Sequence, residues 1–427
     1  MRYLHIANVR LIDPHTDTDT ITDVYVAHGR IQTIGRKPGS GEIEHHIDAT
    51  GLWLTPAFID LGAHLPEPGF SQKGSIASET LAACAAGFSH VCALPDSKPV
   101  ADSSAVIQLI QEKSLQAGYA QVLPIGALTQ GLAGEQIANL VTLTDAGCVA
   151  LSNARQPIKD SYVLKRLMEY AATYGLRLFL HAHDVSLAEG GCMHEGATAT
   201  RLGLAGIPET AETIALAQIL LLAEQTGAQV HISQISCARS LTMLRQARQQ
   251  GLTVSADVAL ANLVYTDEVV VGYNSQFNVQ PPLRSETDRQ ALLAAVNQGE
   301  LSISSNHQPH EVAAKKAPFA DAQPGLSVYD CFVPLALALV REDELSLSAL
   351  LRALSQQPGQ LLGLSPALAE NKPFSACLIN PQAEQTISRK QLYSKGGNIP
   401  CPGVTLAGRV EHLFIDGQVV FSAREPA

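Results

Sequence analysis

The stretch DLGAHLPEPG, residues 60 to 69, follows an apolar run from Leu52 to Ile59 and has the pattern of a β-strand that ends in a loop. Two histidines one residue apart at such a strand end could grip a divalent metal, which would activate water for hydrolysis. Here the pair is half present, with Gly62 where the first histidine is needed and His64 as the second. Other polar residues fall in similar places further on: Asp96 in LPDS, Asn153 in SNARQP, His181 and His183 in FLHAHD, His231 and Gln234 in HISQIS, and Asn306, His307 and His310 in SNHQPH. A tight metal site needs three or four converging ligands, and His64 with His181 makes two; His183 is the one additional candidate. Ser152, Ser233 and Ser305 also lie at strand ends near histidines, so a serine nucleophile activated by a base is a second chemistry open to the chain.

These residues need a scaffold that brings distant segments to one place. From about residue 55 to 360, short apolar strand candidates alternate with helical stretches. The strand candidates are HVCALP, VLPIGAL, CVALSN, RLFLHAH, QVHISQIS, LTVSADV and SISSNHQP, and segments such as ETAETIALAQILLLAEQTG carry apolar residues at helical spacing. Repeated βα units predict a parallel (β/α)8 barrel over 55–362, with the polar residues at the C-terminal strand ends where barrel enzymes place their chemistry. Residues 1–54 alternate apolar and polar positions, as in DVYVAHGRIQTIG, and residues 363–427 return to that style with an Asp416-Gly417 turn. The two termini are therefore expected to build one small β-sandwich.

The composition bounds the function. With 427 residues, 46% of them hydrophobic, the chain can bury a large core. Its 29 basic against 40 acidic residues give a formal charge of −11, which repels polyanions and argues against nucleic acid as a partner. The start, MRYLHIANVRLIDPHTDTD, has no apolar signal core, and no run approaches 18 apolar residues, so a cytoplasmic protein without membrane contact is expected. Eight cysteines, at 84, 92, 148, 192, 237, 331, 377 and 401, form no CxxC pair and read as reduced, mostly buried thiols.

From PAFIDLGAHLPEPG through SKGGNIPCPGVTLAGRV, the chain resembles the dihydroorotases of the amidohydrolase superfamily. The framework segments EGGCMHEGATATRLGLAGIPETAE, QPPLR and KKAPFADAQPGLSVYD carry the resemblance in consistent order. It implies a metal-binding barrel mouth, and residue by residue the active pattern is altered. The family's His-x-His followed by Leu-Arg corresponds to Gly62, His64 and Pro66, which removes one zinc ligand and the arginine that holds the substrate carboxylate. Asp96 stands where an asparagine binds that carboxylate, and at close approach would repel it by roughly 1–4 kcal/mol. Asn153 and Ala154 replace metal-bridging carboxylates, and an amide oxygen is a poorer divalent ligand. His181 matches a zinc ligand, but the next one aligns with Gln234, while His231 occupies a framework position.

The general base is an aspartate in active relatives and Asn306 here; losing general-base catalysis costs about 10²- to 10⁴-fold. Gln280, before PPLR, replaces a substrate-orienting asparagine with a longer side chain. The resemblance therefore implies no catalytic residue, no bound metal and no cofactor, with the histidines as hydrogen-bonded relics. It narrows to the zinc-ligand-deficient, dihydroorotase-like chains that accompany bacterial aspartate transcarbamoylase as a non-catalytic subunit. That implies a hetero-oligomer in which this chain has an assembly role in pyrimidine biosynthesis, with an atypical metal-dependent dihydroorotase as the alternative.

Overall fold

A computed structural model describes residues 2–424. Met1 and residues 425–427, the outer edges of the two expected terminal segments, lie outside the described residues. The chain opens with β1 (Arg2–Asp13), β2 (Thr18–Ala27), β3 (Arg30–Ile34), β4 (Glu42–Asp48) and β5 (Trp53–Pro56). It then enters a parallel array of β6 (Phe58–Ala63), β7 (Phe88–Ala93), β8 (Gln121–Ala127), β9 (Ala150–Ser152) and β10 (Arg177–His181). A short pair, β11 (Met193–His194) and β12 (Gly206–Ile207), interrupts the array before β13 (Gln229–Ser233), β14 (Val254–Ala259) and β15 (Ser302–Ser304) complete it. The chain ends with β16 (Ala376–Thr386), β17 (Thr405–Ile415) and β18 (Gln418–Ser422).

Eight parallel strands run in the order β6, β7, β8, β9, β10, β13, β14, β15. The ends of that order meet: the His64 amide donates to the His307 carbonyl at 2.8 Å, and the Ser305 amide donates to Asp60 Oδ1 at 2.9 Å. This is the expected (β/α)8 barrel. Leu61, Cys92, Leu123, Ile125, Ala150 and Phe179, from the five consecutive strands β6 to β10, form an apolar plug inside it, and a larger core lies between strands and helices. Local signals set the helix ends. Ser75 and Ser78 form a capping box on helix Ile76–Ala85, and Gly227, with φ +72°, ends helix Thr210–Thr226 in the left-handed conformation a side chain resists.

The termini share one mixed sheet in the order β18, β17, β16, β5, β1, β2, β3, with β4 also pairing β1. Four strand steps separate β17 from β2, about 19 Å in a flat sheet. Yet the turn between β2 and β3 touches the turn between β17 and β18: a Cβ on Gly29 would lie 2.6 Å from the Asp416 carbonyl oxygen. The sheet therefore folds back on itself around Ile6, Leu11, Val24, Ile31, Leu54, Phe374 and Phe414, giving the sandwich-like body from both ends. Asp416 and Gly417, at φ +48° and +80°, form the two-residue hairpin turn read from the sequence. All eight cysteines are buried and unbridged. Among the described residues no helix is long and apolar enough to cross a membrane.

Candidate functional site

Parallel strands deliver their C-terminal ends to one face, and the polar residues of the sequence gather there. His64 follows β6, Asp96 follows β7, Asn153 to Arg155 follow β9, His181 ends β10, Gln234 follows β13, and Asn306 follows β15. Three of these strand ends carry non-glycine residues in the left-handed region: Ala154 (φ +50°), Gln234 (+57°) and Asn306 (+50°). Such backbone is held only where its surroundings over-determine it. At β9 the result is specific. The Gln156 amide donates to the Asn153 carbonyl at 3.0 Å and the Ala154 amide to Ser152 Oγ at 3.0 Å, and this tight turn carries the Arg155 side chain to the opposite wall.

Arg155 is the centre of the site, and its role was not foreseen from the sequence. Its Nη2 donates to Asn306 Oδ1 at 2.5 Å and its Nη1 to Gln308 Oε1 at 2.9 Å. β9 and β15 are four steps apart in a ring of eight, so the guanidinium crosses the barrel axis. Burial lowers the pKa values of His64, His181 and His183, and the Arg155 charge lowers them further; at Asp96 burial pushes up, and His64 and then Arg155 bring the carboxyl below its usual range. Burial pulls the guanidinium itself down to about 10, with Asp96 opposing, so it remains a cation at neutral pH.

Around it the histidines are neutral. His64 Nδ1 donates to Asp96 Oδ2 at 2.5 Å; burial lowers the imidazole's pKa against the pull of Asp96. His64 Nε2 is left buried without a hydrogen-bond partner among the protein atoms. His181 Nδ1 donates to the Ser233 carbonyl at 3.2 Å; burial first, then the charge of Arg155, push this histidine down to about 3. His183 Nε2 lies 3.3 Å from Gln280 Nε2, and the Gln280 carbonyl accepts from Asn306 Nδ2 at 3.0 Å. A cavity of about 50 Å³ borders Asn153, His181 and His183.

Other expected site residues serve the framework. Asn153 is consumed locally: Oδ1 accepts from Thr129 Oγ1 at 2.7 Å and Nδ2 donates to the Gln156 carbonyl at 2.9 Å. Gln234 lies across the first ligand position, with Nε2 3.3 Å from where a Cβ on Gly62 would be. Pro66 lends its carbonyl to a turn closed by the Phe70 amide at 2.7 Å. His231 bridges Ser255 and Asp257 beneath the mouth, each at 2.8 Å. His307 accepts from the Val328 amide at 3.1 Å, which places its proton on Nε2, 2.9 Å from Glu79. His310 Nε2 donates to the Pro324 carbonyl at 2.9 Å. The Ser305 hydroxyl donates to Asp60, so its proton is committed to a carboxylate that helps close the barrel rather than to an imidazole base.

The expected repulsion from Asp96 needs a correction, because that carboxylate is paired with His64 and faces Arg155. What the mouth lacks for a divalent ion is donors. Among the described residues no three His, Cys, Asp or Glu side chains group so as to hold a metal. Two imidazoles do not make the three- or four-ligand set that holds zinc in the family's active members.

Comparison with known proteins agrees with this scaffold. A family model described as Dihydro-orotase-like matches residues 51–240. A dihydroorotase-like protein of Pseudomonas aeruginosa is 45% identical over 418 residues, 97% of this chain and 99% of its own length. A protein of Trichlorobacter lovleyi named dihydroorotase is 36% identical over 423 residues, 99% of this chain and 100% of its own. Among solved structures, an L-hydantoinase (dihydropyrimidinase) from Arthrobacter aurescens superposes with a TM-score of 0.85, covering 98% of this chain and 96% of that one, at 21% identity. That last likeness speaks to the fold alone.

Proposed function

We propose, starting from the fact that this chain belongs to the dihydroorotase-like family of the amidohydrolase superfamily, that it is a non-catalytic homologue. In this reading it works in the cytoplasm as a structural subunit of aspartate transcarbamoylase in pyrimidine biosynthesis. The observation that carries the first half is the guanidinium of Arg155 lying across the barrel mouth on Asn306. Cyclic amide hydrolysis in this family needs a metal-activated water and a carboxylate base. Asn306 can accept no proton at neutral pH, and its carbonyl oxygen already receives a hydrogen bond from Arg155. The partner comes from the resemblance to metal-deficient chains that accompany aspartate transcarbamoylase, joined to the pairing of an intact fold with a disabled mouth.

Co-expression with aspartate transcarbamoylase chains tests this reading, with native mass spectrometry for composition and an activity assay with and without this chain. Transcarbamoylase activity should depend on the chain and be indifferent to His64→Ala and His181→Ala. Equal activity in its absence would refute the assembly role. A second reading, an atypical metal-dependent dihydroorotase, is favoured by relatives of full-length coverage that carry that name and by the Asp96–His64 pair. A carboxylate that fixes one imidazole nitrogen and leaves the other free is how metal-ligating histidines are oriented. Turnover of dihydroorotate by the purified chain, free of host enzyme, would favour it.

A further inference from the structure

We propose that residues 192–207 form a flap latched to the barrel by Arg284, and that protonation of His194 releases the latch. The flap stands outside the barrel sheet: β11 and β12 pair with each other, with helix Ala197–Leu202 between them. Its apolar side chains Cys192, Met193 and Ala199 pack with Phe277, Phe319 and Leu326 in a cluster separate from the barrel core, so the flap can lift without opening that core. One side chain ties both flap strands down. Arg284, 3% exposed, donates through Nη1 to the Ile207 carbonyl of β12 at 2.9 Å and to His194 Nδ1 of β11 at 3.2 Å, and through Nε to Ser236 Oγ after β13 at 3.0 Å.

A guanidinium can only donate, so His194 Nδ1 is bare and the imidazole hydrogen sits on Nε2. A second proton would set N–H against N–H and one cation against another. The charged groups around this imidazole are Glu195 on its own strand, Arg284, Asp267 from the single turn Asp267–Val270, Asp288 from helix Glu286–Asn297 and Glu209 before helix Thr210–Thr226, while Glu212 of that helix faces Arg284 at 3.8 Å. Burial and then Arg284 hold His194 below its ordinary value against the pull of Asp267, Asp288 and Glu209. The latched flap is therefore the high-pH form: its bond is complete while the imidazole is neutral and is lost as pH falls, because the freed imidazole takes up a proton near 6.5. His194, Glu195, Glu209, Arg239 and Asp288 line a shallow hollow open to solvent, which gives the proton a route. The outer ties of the flap, Arg201 to Glu268 at 2.9 Å and Thr198 Oγ1 to Glu268 at 2.7 Å, rest on a carboxylate those same bonds hold below its usual range, so they do not change between pH 8 and 5. The latch does not depend on the assembly role.

Cys192, on β11 and 7% exposed, reports the opening, and the fully buried Cys84 on helix Ile76–Ala85 reports unfolding of the barrel. The purified full chain is reacted at pH 7.5 and pH 5 with 4,4′-dithiodipyridine, a thiol reagent active in acid, and labelling is read at each cysteine by peptide mass spectrometry, normalised to the denatured chain at the same pH. Protection of Cys192 should fall by about 10-fold or more between the two, about 30-fold being the ceiling for one imidazole that titrates near 6.5 once free, while Cys84 stays protected. His194→Gln, whose amide oxygen can accept the same bond and takes no proton, should keep Cys192 protected at both pH values. Arg284→Met should expose Cys192 at pH 7.5 already; if that variant does not fold, the Gln variant decides. Protection of Cys192 that does not change with pH, an equal fall in His194→Gln, an equal fall at Cys84, or a folded Arg284→Met with Cys192 still protected overturns the inference.

Discussion

Taking the protein from pH 8 to pH 5 should weaken the fold by at least about 4 kcal/mol, and two neutral histidines after barrel strands supply that much between them. His181 is pushed down to about 3, by burial and then by the charge of Arg155, and His310 to about 4, by burial and then by the charge of Lys73. In the unfolded chain both titrate near 6.5, so below that pH the unfolded state binds more protons and acid favours it. Their contribution is complete above pH 6.5 and is lost as pH falls toward the folded values; at pH 5 each has surrendered about 2 kcal/mol. His64, His183, His194 and His90 are lowered as well, by burial first, and add to the loss in the same direction; two groups of other types also shift in this window. Asp330, raised to about 6 by burial, gains protons in the folded state and returns about 1.4 kcal/mol, while Lys315, lowered to about 7 by burial, removes about as much. These two cancel and the histidines remain. Against a typical stability of about 5–15 kcal/mol the loss is large. Denaturant melts at pH 8, 7, 6 and 5, read by circular dichroism and by the emission of Trp53, the chain's one tryptophan, would measure it. His310→Gln can keep the bond to the Pro324 carbonyl and should recover about 2 kcal/mol of the loss. A midpoint that does not move between pH 8 and 5, or a Gln variant with the same slope as wild type, would refute the reasoning.

Other outcomes follow from the same geometry. Asn306→Asp alone should not create dihydroorotase activity, because a base without a metal-bound water has nothing to activate and Arg155 would pair with the new carboxylate; turnover above background by this variant would contradict that. Restoring a histidine at position 62 should be costly by itself. The Gln234 amide lies 3.3 Å from where its Cβ would be, so Gly62→His is expected to destabilise by about 1–3 kcal/mol through overpacking, with partial recovery in Gly62→His/Gln234→Ala; additivity in that double-mutant cycle would count against direct contact.

Much of this architecture was legible in the sequence for local reasons. Each of the seven quoted barrel segments overlaps a barrel strand, and the Asp416-Gly417 turn specified its hairpin, because hydrophobic period and turn chemistry act over a few residues. The positions lacking metal ligands were readable in the same way, since a glycine or an amide lacks the needed atoms wherever it lies. Arg155 escaped because its meaning is non-local. In SNARQP it reads as one exposed-looking polar residue in a loop, and only the left-handed Ala154 and the closure of the ring bring its guanidinium onto Asn306, 151 positions away. What the sequence could not show at Asn153 is where its amide goes: Thr129 and the Gln156 carbonyl, distant and local partners, take it up.

The sheet that draws on both ends of the chain also sets a timetable. Its central pairing joins β5 to β16, with Trp53 opposite Ile379. At ribosomal speeds of about 5–20 residues per second, the N-terminal strands must wait roughly 16–65 s for that partner to be synthesised. Throughout that interval β5 lacks its β16 neighbour, and the apolar face later covered by Phe374 and Phe414 stays open. The barrel strands emerge in nearly the order in which they pair, but its closure also waits, since Asp60 meets Ser305 245 positions later, roughly 12–49 s at the same speeds. Nascent chains should thus carry two open edges for much of their synthesis, β6 until β15 is made and the N-terminal strands for longer still, until β16 is made, so chaperone demand during synthesis should fall most on the first sixty residues.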